Sequence, residues 1–329
     1  MPTTVALYDT ARAHIGDRLD ALGLDLAIYT FDGDGNLFID GTNVLPESTD
    51  IDYFWLNVDL VNDGVTEAAF QLVLDCRSVG LVQTFNAGLD SPIYRRIAER
   101  GIRICNSSAQ AVAISEYVLA HALSLIHPID VQREAQANRE WQRTPFREVS
   151  GTDWMIVGYG PIGREVAKRA KAFGANVTVI RRSPATSDFV DQSGTLADMA
   201  GHLAQTDVVV LACPLNAETR SMVDAAFFAQ LKPGAILINI ARGALIDDDA
   251  LLAAVDDGQL SAAVLDVFHE EPLPGPNPLW SHPKVRVTAH TSFAGDGTRG
   301  RWDQLFLDNI VRFVNGETLL NEVDPNDVP

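Results

Sequence analysis

Lysine is scarce in this chain: only Lys168, Lys171, Lys232 and Lys284 occur, and arginine supplies the rest of the positive charge. Acidic residues outnumber basic ones so far that the formal net charge is −19. A surface of that sign repels phosphodiester backbones and anionic headgroups, so neither nucleic acid nor a membrane surface is an expected partner. Cysteine is rarer still. Cys76, Cys105 and Cys213 sit in or beside apolar runs and lack metal-ligand spacing, so no metal is expected and a reducing, cytoplasmic compartment fits. No apolar run reaches the roughly 18 residues that a membrane span needs, and the first residues lack the basic, then apolar, pattern of an export signal.

What is present is enough apolar residue, in 329 positions, for two cores rather than one. The organising stretch is Met155-Ile156-Val157-Gly158-Tyr159-Gly160-Pro161-Ile162-Gly163, followed by a helical pattern and a second apolar run, Asn176 to Ile180. Three glycines at this spacing mean little alone. Between a strand and a helix they read as a dinucleotide-binding turn: Gly158 for the tight turn, Gly160 for backbone approach to a pyrophosphate, Gly163 for close helix packing. The second strand ends in Arg181-Arg182-Ser183, where an acidic residue would bind the ribose 2′-hydroxyl of NAD. Two guanidinium forks and a hydroxyl suit a 2′-phosphate instead, so NADP(H) is favoured and NAD(H) possible. A plainer alternative stays open, with one arginine in solvent and the other stacked on adenine.

Along the rest of the chain, residues 1 to 22 read as an amphipathic helix and Leu24 to Phe31 as the first strand. Asp32-Gly33-Asp34-Gly35-Asn36 resembles the start of a calcium loop, but Leu37 and Asn43 stand where that loop needs Gly and Glu, so a turn is expected. Strands near Asp52 to Leu56, Leu81 to Phe85 and Ile102 to Cys105 alternate with helices at Val65 to Arg77 and Pro92 to Arg100, as in a small parallel α/β domain. A long helical pattern from Ser107 to Arg139 is expected to kink or break at Pro128. The turn Asn86-Ala87-Gly88 is either an anion grip made of backbone N–H groups or a plain connection.

Beyond the nucleotide unit, strands Val208 to Ala212, Ala235 to Ile240, Ala262 to Val267 and Val285 to Ala289 each end near polar residues. In an open parallel sheet those ends share the ligand-binding edge. Arg242, Glu271 and His290 are the candidates for chemistry there. An arginine clamps a carboxylate and polarises a keto oxygen, a histidine delivers a proton, and a carboxylate on that histidine fixes its ring.

These residues sit in a series of ordered motifs: Asn86-Ala87-Gly88-Leu89-Asp90, Ser115-Glu116-Tyr117, the glycine turn, Cys213-Pro214-Leu215 with Glu218-Thr219, Asn239-Ile240-Ala241-Arg242-Gly243, Asp266-Val267-Phe268 with Glu271-Pro272, and Ala289-His290. Through them residues 80 to 325 resemble the D-isomer specific 2-hydroxyacid dehydrogenase family, especially its glyoxylate/hydroxypyruvate reductase-like members. The resemblance implies Arg242 as substrate clamp, His290 as acid/base, Glu271 as its partner, and the backbone of Ala87 and Gly88 as carboxylate grip. It implies cofactor contacts at Pro161, Ile162, Arg181 to Ser183, Cys213, Pro214, Thr219, Ile240, Ala241 and Asp266. It also implies a homodimer with the active site between two domains.

The sequence departs from the family where Ala289, not proline, precedes the histidine, and where Thr291-Ser292-Phe293 follows in place of a small aliphatic pair, so that Phe293 is expected to narrow the pocket. Trp55, with Leu56 and Asn57, is the expected contact to the substrate side chain. The expected fold is α/β, with two Rossmann-like domains: a flavodoxin-like substrate domain (1–106, returning at 290–329) and an inserted NAD(P)-binding, doubly wound parallel-sheet domain (107–289). The expected reaction is NADPH-dependent reduction of a short 2-keto acid such as glyoxylate or hydroxypyruvate. The alternative is a non-catalytic dinucleotide sensor of the same fold, similar to a corepressor.

Overall fold

The computed structural model describes residues 1–183 and 186–328, and the chain divides into two compact units, Met1–Gln110 with Asp296–Pro329, and Ala111–Gly295. The first unit runs β1 (Thr3–Tyr8), α1 (Asp9–Asp20), β2 (Leu26–Phe31), β3 (Leu37–Ile39), β4 (Thr42–Val44), β5 (Asp50–Trp55), α2 (Asp59–Asn62), α3 (Thr66–Asp75), β6 (Ser78–Gln83), α4 (Pro92–Glu99) and β7 (Arg103–Cys105). The second runs α5 (Ala111–Ile126), α6 (Ile129–Ala137), β8 (Asp153–Val157), α7 (Pro161–Ala172), β9 (Asn176–Ile180), β10 (Gln192–Gly194), α8 (Ala200–Leu203), β11 (Val208–Leu211), α9 (Ala225–Gln230), β12 (Ala235–Asn239), α10 (Asp248–Asp256), β13 (Leu260–Leu265) and β14 (Val285–Val287). Helix α11 (Thr298–Val314) returns to the first unit.

The first sheet has the order β4-β3-β2-β1-β5-β6-β7, and its parallel part β2-β1-β5-β6-β7 is the flavodoxin-like order. Its edge is extended by an antiparallel hairpin, β3 and β4, where a purely parallel domain was expected. The amphipathic helix expected over residues 1 to 22 is also corrected: Thr3–Tyr8 is a strand and the helix begins at Asp9. Val5, Ala6, Leu7 and Tyr8 are all buried in succession, which a central strand covered on both faces requires and a one-sided helix does not. The expected turn at Asp32 is present. Asp32 Oδ1 accepts the N–H groups of Asp34 and Asn36 at 3.0 and 2.9 Å.

The second sheet has the order β10-β9-β8-β11-β12-β13-β14, all parallel, which is the dinucleotide-binding order with one strand added. Its strands alternate between two apolar layers. Trp154 and Ile156 pack on one side with Val118 and Val166, while Met155 and Val157 pack on the other with Leu251 and Phe227. Burial on both faces is why the sequence shows continuous apolar runs here. The long helical pattern breaks at Pro128 as expected, and α5 and α6 meet at 61°. No single helix among the described residues is long and apolar enough to cross a membrane.

Trp55, expected to touch substrate, lies instead in the core. It is 2% exposed and stacks on Phe306 of α11, with ring centroids 4.1 Å apart and planes 8° from parallel. Leu56 and Asn57 are buried as well. Position 55 lies on the strand itself, where the tertiary core takes a large aromatic. Trp55→Ala should therefore lower unfolding free energy by about 3–5 kcal/mol in denaturant titration. A loss below about 1 kcal/mol would contradict this placement.

Candidate active site

The first chain turn that matters follows β8. Gly158 has φ of +102°, and a Cβ there would lie 2.4 Å from the Ala212 carbonyl oxygen, so both backbone and space require glycine. At Gly163 a Cβ would lie 2.1 Å from the Gly158 carbonyl oxygen and 3.4 Å from Ile156 Cγ2, which is the close approach of α7 to β8. Gly160 differs. A Cβ there meets nothing within 4 Å, so no protein atom needs its bareness. It caps α7, whose free N–H groups and dipole favour an anion, and Pro161 and Ile162 form the first helical positions. An open cradle at a helix N-terminus fits a pyrophosphate.

The end of β9 adjoins this turn, since Gly158 N–H donates to Ile180 O at 2.8 Å. Arg181 there is half-buried, with its N–H on Gly194 O at 3.0 Å, and Arg182 and Ser183 are exposed. No acidic residue stands at that strand end. This donor set fits a 2′-phosphate.

β11 lies beside β8 at the point where strand order reverses, the usual ligand crevice. Cys213 follows it, with burial pushing its thiol up to about 12, so it is an inert wall and not a nucleophile. The hydroxyl of Thr219 accepts the Asn216 N–H at 2.9 Å and donates to Pro214 O at 2.8 Å. Thr219 thus shapes the Cys213-Pro214 loop from within.

After β12, Asn239 builds the turn that presents Arg242. Its side chain accepts the Ala241 N–H at 3.0 Å and donates to the Arg242 carbonyl at 2.8 Å, while Ile240 and Ala241 are buried. Arg242 Nη1 braces on Ala241 O at 2.6 Å. Gly243 is forced, because a Cβ there would lie 2.1 Å from the Phe268 carbonyl carbon. Sequence reading missed both roles, although an asparagine at a strand end is the sequence sign of such a turn.

Past β13, Phe268 N–H donates to Glu271 Oε1 at 2.9 Å, and Glu271 Oε2 meets His290 Nδ1 at 2.8 Å. A carboxylate accepts only, so Nδ1 carries a proton. Among the described residues Nε2 has no hydrogen-bond partner, and nearly half of the His290 side chain is exposed. His290 has φ of +47°, a conformation that costs energy for a residue with a Cβ. Phe293 stands edge-on to its ring with centroids 6.3 Å apart. Asp266, expected as a cofactor contact, is fully buried, and its carboxylate holds the backbone of Thr291 and Ser292.

In the first unit, the turn after β6 has its carbonyls engaged. Phe85 O accepts Trp302 Nε1, Asn86 O accepts the Ser107 N–H, and Ala87 O accepts Asn106 Nδ2. No hydrogen bond among the described residues uses the N–H of Ala87 or Gly88. The arrangement leaves donors, which fits an anion grip.

The model for the D-isomer specific 2-hydroxyacid dehydrogenase, NAD binding domain, matches residues 119–292. Glyoxylate/hydroxypyruvate reductase A of Serratia proteamaculans is 35% identical over 217 residues, which is 66% of this chain and 69% of that protein. Glyoxylate/hydroxypyruvate reductase A HPR2 of Arabidopsis thaliana is 30% identical over 80% of this chain and 84% of its own. A D-isomer specific 2-hydroxyacid dehydrogenase from Xanthobacter autotrophicus, solved with NADPH and MES, superimposes with a TM-score of 0.79 at 27% identity, covering 100% of this chain and 99% of that one. The chain belongs to the D-isomer specific 2-hydroxyacid dehydrogenase family and is an oxidoreductase of that family.

The glycines separate fold from binding. Gly158→Ala should lower the melting temperature sharply, whereas Gly160→Ala should leave it within a degree or two and weaken dinucleotide binding instead. Equal thermal loss in both variants would show that Gly160 serves only the turn.

Proposed function

We propose that this chain reduces short 2-keto acids, such as glyoxylate or hydroxypyruvate, to D-2-hydroxy acids with NADPH. The observation that carries the reading is the His290–Glu271 pair, 2.8 Å apart with Nε2 left for substrate. Glu271 holds the ring through Nδ1, so Nε2 is the group that gives its proton to the keto oxygen. Arg242 clamps the carboxylate and draws charge onto that oxygen. A bound nicotinamide supplies the hydride. Gly160, Pro161 and Ile162 would hold its pyrophosphate, and Arg181, Arg182 and Ser183 the 2′-phosphate. The relative solved with NADPH supports that preference.

Loss of nicotinamide absorbance with glyoxylate, hydroxypyruvate, pyruvate and phenylpyruvate tests the reaction. His290→Gln should cut kcat roughly 10²- to 10⁴-fold while NADPH binding persists. An unchanged rate would remove His290 from proton transfer. Wild-type protein that binds NADPH tightly yet turns over none of the four acids would favour the sensor.

Cofactor choice is separable. The double variant Arg181→Ala, Arg182→Ala should raise KM for NADPH roughly ten- to a hundredfold and leave KM for NADH nearly unchanged. Equal changes for both cofactors would assign the arginines to the shared adenosine instead.

A further inference from the structure

Asp266 is fully buried, and every hydrogen bond that its side chain makes among the described residues goes to the segment bearing His290. Oδ1 accepts the Thr288 hydroxyl at 2.6 Å and the Thr291 N–H at 2.8 Å, and Oδ2 accepts the Ser292 N–H at 2.9 Å. Its main-chain carbonyl accepts the His290 N–H at 2.9 Å. The residues on both sides of His290 are thus tied to one aspartate, which offsets the cost of the left-handed backbone at His290.

The chain of bonds continues outward. The Thr288 hydroxyl gives its proton to Asp266, so the Tyr117 hydroxyl, 2.6 Å away, donates to Thr288. Burial pushes the Tyr117 phenol up to about 12, so it keeps its proton near neutrality. The ring itself is held on α5, packed against His121 with centroids 4.4 Å apart. All of these residues lie within the second unit.

We infer that Tyr117, Thr288 and Asp266 form a one-way hydrogen-bonded brace, running from α5 to the sheet edge, that positions His290 for proton transfer. None of the three needs to meet substrate. They act by keeping Nδ1 on Glu271 and Nε2 in a single place, and a small misplacement of a proton donor costs turnover more than binding. Polar chains in a buried setting suit this, since a hydroxyl with both a donor and an acceptor partner has one orientation rather than several.

The inference rests on His290 being the acid/base, so its test needs one readout with turnover and one without. Thr288→Val and Tyr117→Phe should each lower kcat about tenfold or more with KM for NADPH unchanged, and Thr288→Ser should restore most of the rate. By proton NMR, the low-field Nδ1 proton of His290, identified by its loss in His290→Gln, should shift or broaden in both variants and be retained in Thr288→Ser. Wild-type kcat and an unmoved resonance in Thr288→Val and Tyr117→Phe would overturn the brace. So would a parallel loss of NADPH affinity, which marks general damage to the domain. If the wild type reduces no 2-keto acid, the reaction reading fails, and the resonance alone still decides whether the brace holds the ring.

Discussion

The parallel register of the second sheet is the constraint on which the candidate chemistry depends. Because β8, β9, β11, β12, β13 and β14 run the same way, the residues after each strand emerge along one edge. That edge gathers the glycine turn, Arg181 and Arg182, Cys213, Arg242, Glu271 and His290 from positions more than a hundred residues apart in sequence. A parallel sheet is stable only with both faces covered, and the two apolar layers on either side of β8 meet that requirement. Loops are thereby left to carry polar groups, each shaped by one buried side chain: Thr219, Asn239 or Asp266.

This division explains what could be read from sequence. The second unit was legible because its strands are uninterrupted apolar runs and its glycines are demanded by backbone and space at Gly158 and Gly163. The family motifs lay on the same turns. The first unit was harder. Thr3–Tyr8 passed for part of a helix because Val5, Leu7, Ile15 and Leu19 can be fitted to a helical face, and only pairing with β2 and β5 reveals the central strand. The hairpin of β3 and β4 has three residues per strand, too few for a periodic signal.

Side-chain roles were less legible than positions. Trp55 is expected at the substrate because it lies in the N-terminal region that sets side-chain specificity in the family it resembles, but its stacking on Phe306 depends on a helix some 250 residues later. Asp266 was expected at the cofactor through resemblance, whereas its hydrogen bonds run to Thr288, Thr291 and Ser292. A sequence shows that a polar residue ends a strand, not which neighbour will satisfy it. The strongly acidic composition says little about the site, where Arg181, Arg182 and Arg242 supply positive charge within a chain of net charge −19.

In the proposed reaction His290 gives a proton to the keto oxygen while a bound nicotinamide would supply the hydride to C2. The most direct measurement is the configuration of the product formed from hydroxypyruvate and NADPH carrying deuterium at its transferable position. The account predicts D-glycerate with the deuterium at C2. The L isomer, or product without deuterium at C2, would contradict it.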